Sequence, residues 1–170
     1  FRRVLFRSAL SGVPVVSGLA RGIDAMAHRG NVDGGAPTVA VLGCGLDGVY
    51  PASNRGLARR ILEAGGALLS EYPPGTEPFK WHFPARNRII AGLARALVVV
   101  EAPETSGALI SAQFGLDLGR DVWVASHSLA SPRGGGCRAL AEQGARAARS
   151  AAEVLEDWAS TGIPAEIELR

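Results

Sequence analysis

Short runs of consecutive apolar residues alternate along the chain with stretches patterned as helices. The apolar runs are VPVVS (13–17), TVAVL (38–42), ALLSE (67–71), ALVVVE (96–101) and DVWVAS (121–126). Strands that are apolar throughout, rather than at alternate positions, are buried on both faces. Between them the pattern predicts one helix through about Arg29, and a second that Ser53 can cap and that runs to Glu63 before Gly65 and Gly66 stop it. Further helices are predicted from about Ala85 to Leu93, over 106–119, behind the Gly-rich loop at 133–136, and from Ala151 to Trp158. Strands separated by helices imply right-handed crossovers and a parallel sheet. The expected fold is therefore α/β, an open doubly wound, mainly parallel sheet. In that architecture ligands bind at the carboxyl ends of the strands, beside helix N-termini. The residues that follow each strand are the ones to read for chemistry.

Composition narrows the partners only slightly. The chain has 170 residues, 47% of them hydrophobic and 20% charged, enough for one domain with a sizeable core. A formal net charge of +2 means that any nucleic-acid site must come from local clustering. Cys44 and Cys137 lie far apart and form no metal-ligand spacing, so they read as reduced thiols of a cytoplasmic protein with no metal and no cofactor. No apolar run approaches the roughly 18 residues of a membrane span, and no membrane partner is expected. The first eight residues, FRRVLFRS, lack the h-region of a secretory signal. They back-translate without mismatch as TTC AGA CGT GTG CTC TTC CGA TCT, a common sequencing-adapter strand. Residues 1–8 are accordingly expected to be adapter-derived, with the protein beginning near Ala9.

Candidate chemistry follows the strands. After the first comes SGLARGID (17–24), where Gly18 and Gly22 allow a tight turn into a helix start, a place that favours an anion, and Arg21 adds a charge. The spacing is not the dinucleotide fingerprint. The plainer reading is a turn in which the glycines serve the backbone and Asp24 serves the helix dipole. His28, four residues after Asp24, reads as its structural helix partner more readily than as half of an acid–base pair. After the second strand, GCGLDGVYP (43–51) offers close backbone approach, and no base can be assigned to Cys44 as a nucleophile. After the third comes KWHFPARNRIIAGL (80–93). Here Lys80 and Arg88 suit phosphate, as Arg86 also can, while Trp81 and Phe83 suit stacking on unpaired bases. The plainer reading is a solvated basic helix start with Trp81 and Phe83 as core. After the fourth, EAPETSGALISA (101–112) supplies a helix cap at Thr105 or Ser106 and close approach at Gly107. Several anion-type sites thus converge on one sheet edge.

VVSGLARGIDAMAHRG (15–30), TVAVLGCGLDGVYPASNR (38–55), LLSEYPPGTEPFKWHFPARNRIIAGL (68–93) and SGALISA (106–112) together resemble the DNA-processing protein A (DprA/Smf) family, with weaker matches at GCRALAEQGA (136–145) and SAAEVLE (150–156). The resemblance covers nearly all of 9–158, which becomes one Rossmann-like DNA-binding domain, and leaves 159–170 as a tail or linker. It implies an extended Rossmann fold lacking its first strand and the following Gly-Ser/Thr-Arg turn. It also implies a non-enzymatic protein that binds single-stranded DNA, protects incoming DNA in natural transformation, loads RecA onto it and acts as a homodimer in the cytoplasm. By the resemblance Lys80 meets phosphate or a base edge, Phe83 supports a base, and Arg86, Asn87 and Arg88 shape the pocket. Ser17, Gly18, Arg21 and Gly22 wall it, with Ser106 and Gly107 opposite. No residue is assigned a catalytic role. This chain departs from the family pattern at ASHS (125–128), where Pro-Gly is usual, and at Arg138, often Asn or His. The alternative is a nucleotide-binding Rossmann hydrolase of the phosphoribohydrolase (lysine-decarboxylase-like) type. It lacks support because the P-G-G-x-G-T signature is absent and neither Glu101 nor Glu104 has an evident catalytic partner.

Overall fold

The computed structural model describes residues 12–160, and among them six parallel strands carry the fold. The segment 1–8 expected to be adapter-derived, and the tail beyond 160, lie outside the described residues. The strands are β1 (Val15–Ser17), β2 (Thr38–Val41), β3 (Ala67–Leu69), β4 (Ala96–Val99), β5 (Asp121–Ala125) and β6 (Arg146–Ala148). The helices between and after them are α1 (Ile23–Asp33), α2 (Arg55–Glu63), α3 (His82–Leu93), α4 (Gly107–Asp117), α5 (Gly135–Glu142) and α6 (Ala151–Ser160). The expected α/β class with parallel strands holds. Among the described residues the strands form two ladders, β1-β2-β3 and β4-β5-β6, where one uninterrupted sheet was expected. Registers such as Val15↔Thr38, Val39↔Ala67, Ala96↔Asp121 and Trp123↔Arg146 make every pairing parallel. α3 links the halves: it packs on β1 and β2 and, more extensively, against α4.

Burial explains most of the elements, although the expectation of strands buried on both faces fails for β3, where Ala67 and Leu69 are exposed, and at Val98 of β4. One core gathers Leu19, Leu42, Leu57 and Ile61 under the first ladder, and another gathers Val99, Val122, Val124, Cys137 and Leu140 under the second. A smaller cluster of Trp123, Ala148 and Val154 seats α6. Several boundaries differ from the sequence pattern for identifiable reasons. α1 runs on past Arg29 because buried Asn31 donates from Nδ2 to the carbonyls of Val13 and Pro37, at 3.0 and 2.9 Å, pinning its last turn. α2 begins at Arg55 after a short 3-10 turn over Ala52–Asn54, and Ser53 does not cap it. α3 begins at His82, three residues before the expected start, since Pro84 falls in the first turn, where a missing N–H costs nothing. The strand β6 was not expected. Its Arg-Ala sequence carries no apolar run, but Arg146 lays its guanidinium over the Trp123 ring, 4.0 Å from the centroid, and pairs with Asp157.

Candidate nucleic-acid interface

The carboxyl ends of β1, β2 and β3 are tied together by polar contacts between the loops that leave them. The β1–α1 turn is strained: Leu19 has φ 56°, an unusual value for a non-glycine residue, with its side chain fully buried. Two side chains hold it. The Asp24 carboxylate accepts from the backbone N–H groups of Gly18 and Ala20, at 3.1 and 3.2 Å. Buried Asn54 donates from Nδ2 to the carbonyls of Leu19 and Ala20, at 2.8 and 3.3 Å. Asp24 therefore already occupies two donors that an anion was expected to find free. Asp24 is not the hydrogen-bonded partner of His28 either. The His28 ring, fully buried, bonds Thr38 Oγ1 at 2.7 Å. Because the Thr38 hydroxyl donates to the Val15 carbonyl, His28 Nδ1 carries the hydrogen in that contact.

Arg86 has a structural task. It is only 5% exposed, and its Nη1 donates to the carbonyls of Gly18, at 2.8 Å, and Val41. One guanidinium thus clamps α3 to the ends of β1 and β2. Burial lowers its pKa, and the charge of Asp24 opposes that shift. Gly18 is required by the same contact: a Cβ there would lie 2.1 Å from Arg86 Nη2. The clamp continues along the helix. Arg86 Nε donates to Asn87 Oδ1 at 3.1 Å, and Asn87 Nδ2 donates to the Gly107 carbonyl at 3.4 Å. Gly18, Arg86, Asn87 and Gly107 are thereby linked, with Ser17 and Ser106 next to them in sequence and Arg86 as the strut. Ser106 spends its hydroxyl as the α4 cap, accepting from Ala108 N at 3.2 Å. Arg88 is exposed and pairs with Glu71, which follows β3. Arg21 is exposed beside Gly22, whose φ of 84° suits a glycine at the α1 start.

Lys80 differs from these cations. It is exposed and, among the described residues, has no ion pair; it is also the only lysine in the chain. Aromatic rings surround it in sequence. Trp81 is 67% exposed and Phe79 43%, so neither belongs to the core. Their rings lie parallel within 3°, with centroids 5.0 Å apart. His82 meets both edge-on, at 5.4 and 6.1 Å, and itself stacks on Tyr72 at 3.9 Å. Its Nδ1 donates to the Gly43 carbonyl at 3.1 Å, anchoring the group on the β2 end. Phe83 also packs on Gly43, and on the Tyr50 ring, 5.4 Å between centroids. The 43–51 loop is in turn bonded to the segment before α3: Gly45 N donates to the Thr76 carbonyl at 2.9 Å and Gly75 N to Asp47 at 2.8 Å. The sequence reading missed Phe79, Tyr72 and Tyr50. The triplet Phe-Lys-Trp was the available signal for the first of these. Cys44 is buried, and burial raises its pKa, which suits an inert thiol. Among the described residues no group of His, Cys, Asp and Glu could hold a metal, and no helix is long and apolar enough to cross a membrane.

Comparison with known proteins places this arrangement in a family. The family model described as DNA recombination-mediator protein A matches residues 1–159. The DNA processing protein DprA of Streptococcus pneumoniae is 44% identical over 144 residues, covering 85% of this chain and 51% of that protein. Protein Smf of Synechocystis is 48% identical over 145 residues, covering 85% of this chain and 36% of that protein. The chain thus spans about half the length, or less, of these curated relatives. The X-ray structure of the S. pneumoniae protein superposes with a TM-score of 0.81 at 41% identity, over 91% of this chain and 54% of that one. DNA processing protein A of Helicobacter pylori, whose structure concerns its single-stranded DNA binding mode, superposes with a TM-score of 0.83 at 26% identity, over 94% of this chain and 72% of that one. On the family match and these identities, this chain belongs to the DNA recombination-mediator protein A (DprA/Smf) family.

Proposed function

We propose that this chain is a single-stranded DNA-binding unit whose contact face is the carboxyl end of the first ladder and the start of α3. The observation that carries the reading is Lys80, an exposed cation with no ion pair among the described residues, flanked in sequence by two exposed aromatic residues whose rings stack on each other. A cation beside open π-faces suits a strand whose phosphates and unpaired bases are both accessible. The H. pylori relative, described by its single-stranded DNA binding mode, supports the same reading. In it Lys80 meets phosphate or a base edge and Phe83, seated on Gly43 and Tyr50, supports a base. Arg21, Gly22, Ser17 and Gly18 form one wall, while Asn87, Ser106 and Gly107 form the other. Arg86 holds the walls in register from beneath, and Arg88 contributes through its pair with Glu71. The reading extends to the full-length protein as a cytoplasmic homodimer that protects incoming DNA and loads RecA onto it, without catalytic turnover.

Fluorescence anisotropy of labelled oligo-dT, at two salt concentrations, tests the reading. Lys80→Glu and Phe83→Ala are both expected to weaken binding, and Lys80→Glu to flatten the salt dependence as well. Wild-type affinity in both variants would assign the 80–93 segment to helix initiation alone.

A further inference from the structure

Trp81 is the most exposed large apolar side chain on the described surface, at 67%. One face of its indole lies parallel to Phe79, and an edge meets His82, itself fixed by Tyr72 and the Gly43 carbonyl. Its other face has no ring partner among the described residues. The result is a short stack of aromatic rings, braced at its base and open at the Trp81 end, with Lys80, which has no ion pair among the described residues, between its two members in sequence. Leaving so large a π-surface in water is unfavourable, and a planar, electron-poor ring carried on an anionic chain is the ligand that matches both the open face and the cation.

We propose that Trp81, backed by Phe79, is a stacking platform for an unpaired nucleobase, separate from the base supported by Phe83. The proposal rests on the single-stranded DNA reading above and extends its footprint. Phe83 packs on Gly43 and the Tyr50 ring, whereas Trp81 and Phe79 pack on each other and on His82, so among the described residues the two ring groups share no ring contact. A strand meeting Lys80 can place one base on each ring group, and stacking tolerates any base because every base has a π-face.

Trp81 reports on its own occupancy. Of the chain's three tryptophans, Trp123 is buried beneath Arg146, and Trp158 sits under Arg95 with 4.8 Å to the ring centroid. The experiment titrates the 170-residue chain with oligo-dT and with an abasic strand of equal length, following tryptophan emission and anisotropy. Quenching by oligo-dT but not by the abasic strand is expected. Trp81→Leu is expected to weaken oligo-dT binding about five- to hundredfold, leave the abasic strand's weak binding as it was, and melt like the wild type. Trp81→Phe is expected to retain most of the affinity while abolishing the quenching. Wild-type binding of oligo-dT with unchanged affinity in Trp81→Leu would overturn the platform and leave the single-strand reading standing. Failure of the wild type to bind oligo-dT at all would overturn both. Emission that changes with protein concentration in the absence of DNA, and is lost in Trp81→Leu, would assign the face to a second copy of the chain and overturn the proposal in that way.

Discussion

Arg86 and Gly18 show how single residues at the strand ends are set by contacts remote in sequence. Arg86 donates to carbonyls on two strands, and Gly18 leaves the space its guanidinium fills. Gly18→Ala must therefore expel the guanidinium or shift the β1 turn. The expected cost is about 2–4 kcal/mol, the range for disrupting a buried charged hydrogen-bond network, read as a lowered urea midpoint. His28 supplies a pH dependence. Burial lowers its pKa from 6.5 to about 4, with Asp24 opposing the shift and Arg86 adding to it. Its Nε2 is buried with no hydrogen-bond partner, so a second proton there would be unpaired. Since the folded value lies below the unfolded one, this contribution to stability is complete above pH 6.5 and is lost as pH falls toward 4. The loss amounts to about 3 kcal/mol. Urea midpoints of wild type and His28→Asn, compared at pH 7 and pH 4.5, should show a smaller fall in the variant, which starts lower but has no imidazole to titrate.

At the scale of elements, helix starts carry the proposed site, and each is finished by a different device. Asp24 closes the turn before α1 from inside the helix, the Asn54 side chain is diverted to that same turn, and Ser106 caps α4 directly. Ser106→Ala removes the cap beside Gly107 and should cost about 1 kcal/mol by denaturation, which Ser106→Asn restores. Should the Ser106 hydroxyl instead serve DNA, the Ala variant would lose affinity out of proportion to its stability, and Asn would not rescue it. α3 combines two functions in one element. Its buried face brings Arg86 and Ala91 onto the first ladder and α4, while the residues just before it leave Lys80 and Trp81 in solvent.

For the whole molecule, a net charge of +2 provides little long-range attraction for a polyanion, so affinity has to be local. Most arginines whose contacts are visible already have work: Arg60 pairs with Asp33, Arg88 with Glu71, Arg146 with Asp157 and Arg149 with Glu153. Lys80→Gln should therefore lower the slope of log affinity against log salt by about 1. Arg146→Gln, at the amino end of β6 and so at the opposite end from the strand ends of the proposed site, should leave that slope unchanged. Equal slopes for wild type and Lys80→Gln would mean that the phosphates are held elsewhere.

Apolar runs and helical spacing were enough to read five of the six strands, the parallel α/β class and the segments that meet at the strand ends, because those properties follow from local burial patterns. The glycine turn after β1 and the cation–aromatic segment before α3 were legible for the same reason, as side-chain types at element boundaries. β6 was not legible, since Arg146, Ala147 and Ala148 become a strand only when the free edge of β5 and the Trp123 ring receive them. The division of labour among the cations was also decided by the tertiary structure. Lys80, Arg86 and Arg88 look alike along the chain, yet packing buries the second, Glu71 neutralises the third, and among the described residues only the first is left exposed without an ion pair. Exposure and pairing depend on which distant segments fold against a residue, and local pattern carries no record of that.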